Sequence, residues 1–81
     1  MRIDKYLKVS RLIKRRTVAN DACDTEHISV NGKAVKASYQ VKEGDVISIA
    51  FGTRTLTVRV VDVRENANKS NAGEMYEVIS Q

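Results

Sequence analysis

Seven residues near the N-terminus are cationic: Arg2, Lys5, Lys8, Arg11, Lys14, Arg15 and Arg16. A single acid, Asp4, lies among them, so residues 1–16 carry +6 while residues 17–81 carry −2, giving +4 for the chain. Guanidinium and ammonium groups concentrated in this way neutralise a polyanion. Each phosphate they meet releases condensed counterions, which supplies affinity without reading base sequence. An ordinary solvated helix face interleaves acids with bases, and here the two are segregated. These seven residues are the candidate polyanion-binding set, with nucleic acid first among the ligands that fit it. By physics alone they do not distinguish RNA from DNA, and an anionic membrane or an acidic protein remains an alternative polyanion.

Other chemistries find less material. Cys23 and His27 are four residues apart, but the helix carrying Cys23 is expected to end near Glu26, which separates them. A metal site needs more ligands than these two, and a nucleophile needs an oriented base. Cys23 reads instead as a small core residue on an apolar helix face. No glycine-rich loop follows a strand to cradle a phosphate, so no enzyme, no catalytic residue, no metal and no cofactor is expected. Asn68-Lys69-Ser70 fits a glycosylation sequon, but no secretory signal accompanies it. The aromatics Tyr6, Tyr39, Phe51 and Tyr76 are scattered, which favours contact with phosphates and folded shape over base-by-base readout.

The elements that must hold the basic residues follow from periodicity. At 3.6 residues per turn, Ile3, Tyr6 and Leu7 share one face of a helix, and Arg2, Lys5 and Lys8 share the other. Val9 falls among the bases, which places the helix end near it, and Asp4 sits in the first turn, where a carboxylate suits the helix dipole. A second helix is expected over about Thr17–Thr25, with Val18, Ala19, Ala22 and Cys23 as its apolar face and Asn20, Asp21 and Asp24 opposite. That acidic outer face leaves only its N-terminus, beside Lys14–Arg16, for an anion.

From Ile28 the period becomes that of strands. Ile28–Val30 leads into Asn31-Gly32, the strongest short hairpin signal, and Ala34-Val35 returns from it. Glu43-Gly44-Asp45 makes a turn, Val46–Phe51 a strand, Gly52-Thr53-Arg54 a further turn, and Leu56–Val63 a strand whose apolar phase shifts between Val60 and Val61, as at a bulge. Residues 64–73 read as a mobile loop, and Met75–Ser80 as a closing strand. The fold class is α+β: two short N-terminal helices packed on a small, twisted, largely antiparallel sheet.

An 81-residue chain with 42% hydrophobic and 30% charged residues forms one small domain, 1–81, with a thin core. No apolar run approaches the roughly 20 residues of a membrane helix. A single cysteine excludes an internal disulfide and suits a reducing cytosol.

Taken together, Arg2-Ile3-Asp4-Lys5-Tyr6-Leu7, Lys14-Arg15-Arg16-Thr17 with Ala19, Ile28-Ser29-Val30-Asn31-Gly32-Lys33 and Val41-Lys42-Glu43-Gly44-Asp45 resemble the S-four RNA-binding domain family. The resemblance implies a helix–turn–helix-like pair on a small sheet (the alpha-L motif), with the RNA face on the first helix, the loop after it and the start of the second. Over its whole length the chain resembles the stand-alone bacterial members that serve ribosome quality control, relatives of the heat-shock protein of about fifteen kilodaltons. It implies a cytoplasmic, ribosome-associated protein, monomeric off the ribosome, that binds ribosomal RNA and peptidyl-tRNA on the obstructed large subunit. Its partner would be an RqcH-type factor that adds alanine tails to stalled nascent chains. A general ribosomal-RNA-binding role in large-subunit recycling or assembly is the alternative. Glu26 stands where relatives commonly have the glycine that ends helix 2, and Asn20-Asp21 also departs from their pattern.

Overall fold

The computed structural model describes residues 1–65, 67–68 and 70–81. Two α-helices, α1 (Ile3–Val9) and α2 (Arg16–Asp24), precede five strands: β1 (Ile28–Val30), β2 (Lys33–Ala34), β3 (Val46–Phe51), β4 (Arg54–Val60) and β5 (Tyr76–Ser80). The strands form one antiparallel sheet in the order β2-β1-β3-β4-β5. This is the α+β arrangement the periodicity calls for.

The core lies between the helices and one face of the sheet. Ile3, Tyr6 and Leu7 of α1 and Ala19 and Cys23 of α2 bury their side chains against Ile28 and Val30, Ile47 and Ile49, and Val58 and Val60. Those sheet residues alternate along each strand, and the register places Ile28 opposite Ile49 and Ile47 opposite Val58. Burying a side chain of this size stabilises the fold by about 1.5–3 kcal/mol. Asn31 and Gly32 both have positive φ, 52° and 86°, as a two-residue hairpin of the twisted type requires.

Between β2 and β3 the chain passes the start of α1 and satisfies its open donors. Ile3 N–H bonds to the Tyr39 carbonyl at 2.8 Å and Asp4 N–H to that of Ala37 at 3.3 Å, while Val41 N–H returns to Met1. Buried Asp45 fixes the turn before β3, accepting from Lys42 N–H, the Tyr39 hydroxyl and the Asn31 amide. The second helix ends in a full left-handed cap. Glu26 takes φ 60°, its N–H bonds to Cys23 O, and His27 N–H bonds to Ala22 O. Glutamate thus occupies the glycine conformation, and the helix does not end differently on its account.

Four expectations are corrected. The strand expected through Val63 ends at Val60. Beyond it the N–H groups of Val61 and Asp62 both turn onto the Met75 carbonyl, and the sheet's register shift falls between Thr57 and Val58. Met75 belongs to a 3-10 helix, Ala72–Met75, and the last strand starts at Tyr76. Val18 is 51% exposed, leaving Ala19 and Cys23 as the buried residues of α2. The loop expected over 64–73 includes Asn66 and Lys69, which lie outside the described residues.

Candidate nucleic-acid interface

The seven basic residues run from the residue before α1 through α1 and the connection after it to the first residue of α2. Arg2 is the residue before α1, Lys5 and Lys8 lie within it, Arg11 and Lys14 are in the connection, Arg15 precedes α2 and Arg16 opens it. Helix packing joins the two ends of this set on one acid. The Asp4 carboxylate, 2% exposed, is gripped by the Arg2 fork with Nε and Nη2 each 3.3 Å away. Arg16 Nη2 reaches it from α2 at 3.3 Å, Asn20 Nδ2 donates at 3.3 Å, and Lys5 N–H donates at 2.8 Å.

Asp4 therefore does more than favour a helix dipole. Burial pushes its pKa up, but hydrogen bonds from Arg16, Asn20 and Lys5 N–H, with the Arg16 charge, outweigh that and hold it below the usual carboxylate value. It stays ionised and fixes two guanidinium groups on neighbouring helices. Each guanidinium carries five N–H donors, so donors remain for a second anion once the carboxylate is served. The arrangement is that of a preset fork, with its charge partly compensated in the free protein.

The other five basic residues differ among themselves. Lys5 Nζ is paired with Glu65 from the far end of the chain. Among the described residues, Lys8, Arg11, Lys14 and Arg15 are exposed and in no salt bridge. Arg11 has φ 64°, a left-handed conformation that costs a residue with a Cβ on the order of 1 kcal/mol. This cation is carried at the point of reversal that ends α1, where Arg11 N–H bonds to Lys8 O and Ile13 N–H to Leu7 O. Among the described residues no side chain caps α2, whose first-turn N–H groups are open to an anion beside Arg15 and Arg16. Farther along α2 the exposed acids Asp21 and Asp24 disfavour a polyanion.

The sequence reading missed Asp4 as a hub, together with Asn20 and Glu65. Asp4 was legible in part, since a helical projection sets it only about 60° from Leu7 at the margin of the apolar face. Glu65 lies sixty residues from Lys5, and no local pattern announces that pairing. Cys23 is buried, and burial, then the charges of Asp4 and Asp24, pushes its thiol up to about 11. His27 Nδ1 meets Thr25 Oγ1 at 2.6 Å and stays outside the core. Among the described residues no cluster of metal-ligating side chains exists, and no helix is long and apolar enough to cross a membrane.

Comparison with known proteins shows which chains this one is similar to. Residues 1–47 match the S4 domain family model. The chain is 51% identical to an RQC P-site tRNA stabilizing factor of Halalkalibacterium halodurans, over 96% of this chain and 89% of that one. It is 48% identical to the protein of the same description from Streptococcus pneumoniae, over 100% of this chain and 92% of that one. Its fold superimposes on Heat Shock Protein 15 of Vibrio cholerae, solved as a trimer, with a TM-score of 0.91 at 23% identity, covering 99% and 82% of the two chains.

Proposed function

The chain belongs to the S4 domain family, and to its RQC P-site tRNA stabilizing factors; from that premise we propose that it is a non-catalytic RNA-binding factor of bacterial ribosome quality control. It binds ribosomal RNA and the peptidyl-tRNA on an obstructed large subunit, in the cytoplasm, and so supports C-terminal alanine tailing by an RqcH-type factor. It acts as a monomer off the ribosome, as one 81-residue domain whose sheet is scaffold.

The observation that carries this reading is the pairing of Arg2 and Arg16 on buried Asp4, beside exposed Lys8, Arg11, Lys14 and Arg15. A positioned fork recognises a phosphate with directionality, and the outlying cations add counterion-release affinity. Two RNA partners can share such a surface, because the Arg2–Arg16 pair on Asp4 and the open cation Lys8 lie at opposite ends of α1, about 9 Å apart along the helix at 1.5 Å per residue. Holding a tRNA in place needs only these contacts and no bond-making chemistry.

The test is co-sedimentation with large ribosomal subunits. Reversing Lys14 and Arg15 to Glu should release the protein while its circular dichroism is unchanged, because neither residue holds a salt bridge among the described residues. Reversing Arg59, which pairs across the sheet with Glu77, should leave binding in place. Equal release by both changes would move the interface away from the N-terminal surface.

A further inference from the structure

We propose that Phe51 and its cross-strand partner Arg54 form a stacking site for an unpaired nucleobase of the bound RNA, an inference that rests on the RNA-binding function proposed above and adds base contact to it. Phe51 ends β3 on the side of the sheet that carries buried Ile47 and Ile49, yet it is 45% exposed. The hairpin pairs it directly with Arg54, so ring and guanidinium project from the same face as immediate neighbours. Aromatic rings and guanidinium planes are the two surfaces on which proteins stack unpaired bases.

The surroundings of Phe51 favour a base over other occupants. On one side the ring borders a groove of about 320 Å³ with Leu12, Val18 and Ile49 among its walls and Lys14 at its rim. On the other, Phe51 and Arg54 border a second hollow of about 220 Å³. Neither hollow has an aspartate or glutamate side chain in its lining, and Gln81, the last residue, borders the second. A largely apolar lining with Lys14 in one hollow and Arg54 in the other, joined at Phe51, suits a nucleotide, whose flat, weakly polar base lies between two phosphates. Lys14 also belongs to the basic run, so a strand held there by its phosphates has Phe51 within the same groove. Val18, exposed on α2, then has a role as the opposite wall of that groove.

The chain contains no tryptophan, so Phe51→Trp introduces a single indole reporter at an exposed position. The probe is a single-stranded octamer of adenosine ribonucleotides, with an RNA duplex of equal length as the control. Stacking should quench the F51W indole on addition of the octamer and not of the duplex. Both Phe51→Ala and Phe51→Leu should weaken octamer binding by about fivefold or more, with the salt dependence and duplex binding unchanged. Lys14→Glu with Arg15→Glu should weaken octamer and duplex alike, whereas the Phe51 variants should weaken the octamer alone; equal weakening of both RNAs by the Phe51 variants would also overturn the stacking site. An octamer that binds the parent and the Phe51 variants equally, without quenching, would overturn the stacking site and leave the RNA-binding function standing. A parent that binds neither RNA would overturn both. Quenching by an acidic peptide of alternating Glu and Leu, and not by the octamer, would assign the groove to a protein and likewise overturn the proposal.

Discussion

Replacing Asp4 by Asn separates two accounts of the basic surface. Charge counting alone predicts tighter RNA binding, because a negative charge is removed next to Arg2 and Arg16. If the carboxylate is what holds those guanidinium groups, binding should weaken severalfold despite the added net charge, and filter binding at fixed salt decides between them. Stability should fall by about 1–3 kcal/mol, since charge-assisted bonds to a buried carboxylate are lost. The pH dependence has a definite sign. A carboxyl group whose folded pKa is depressed stabilises above its unfolded value, near 4, and that contribution disappears as the pH falls through the folded value. Urea titrations from neutral pH downward should therefore show the parent losing its advantage over Asp4→Asn in acid. Arg11 and Glu26 allow a paired test, because both hold left-handed backbone. Glycine at either position should raise stability by about 1 kcal/mol. Only Arg11→Gly should weaken RNA binding, because only there does the strained residue carry a cation on the proposed interface. A gain in binding by Arg11→Gly would show that its side chain takes no part.

At the level of elements, α1 is secured by the middle of the chain and by its C-terminal part. Its first N–H groups are taken by Tyr39 and Ala37, and the Tyr6 hydroxyl donates to the Met75 carbonyl at 2.7 Å inside the core. Burial holds that phenol above its ordinary pKa, so it remains a donor throughout the physiological range. Tyr6→Phe should cost about 1 kcal/mol, with faster amide exchange at Val61 and Asp62, which share the same carbonyl. Exchange unchanged at those two amides would mean that the hydroxyl does not fasten the C-terminal segment.

The same elements show what the sequence makes legible. Ile28–Val30 and Val46–Phe51 could be read because strand alternation and the Asn31-Gly32 turn are local signals. The stretch Ala72–Met75 could not, because glycine and glutamate make it look like loop and only tertiary packing buries Ala72 and Met75. Val18 failed for the converse reason. Periodicity places it on the apolar side of α2, but nothing local says that the sheet beneath ends at Phe51 and leaves it uncovered. The basic residues themselves were legible as a charge asymmetry, while their division into ion-paired and open groups depended on Asp4 and Glu65.

At the scale of the whole molecule, the division of the cations sets the expected salt dependence. Four open cations meeting phosphates give a log–log slope of about −2.8, and all seven give about −4.9, with the single-strand coefficient. The slope should lie between these limits, because Arg2, Arg16 and Lys5 already have partners. A slope near zero in filter-binding assays across added potassium chloride would remove the electrostatic basis of the account.

The central claim is that this domain holds a tRNA against the large subunit by dividing one surface between two RNAs. The direct measurement is the dissociation constant on large subunits carrying peptidyl-tRNA compared with empty subunits, at one salt concentration. A second contact that behaves as a tethered site should make the tRNA-bearing complex tighter by about tenfold or more. Indistinguishable constants would contradict the claim and leave a protein that binds ribosomal RNA alone.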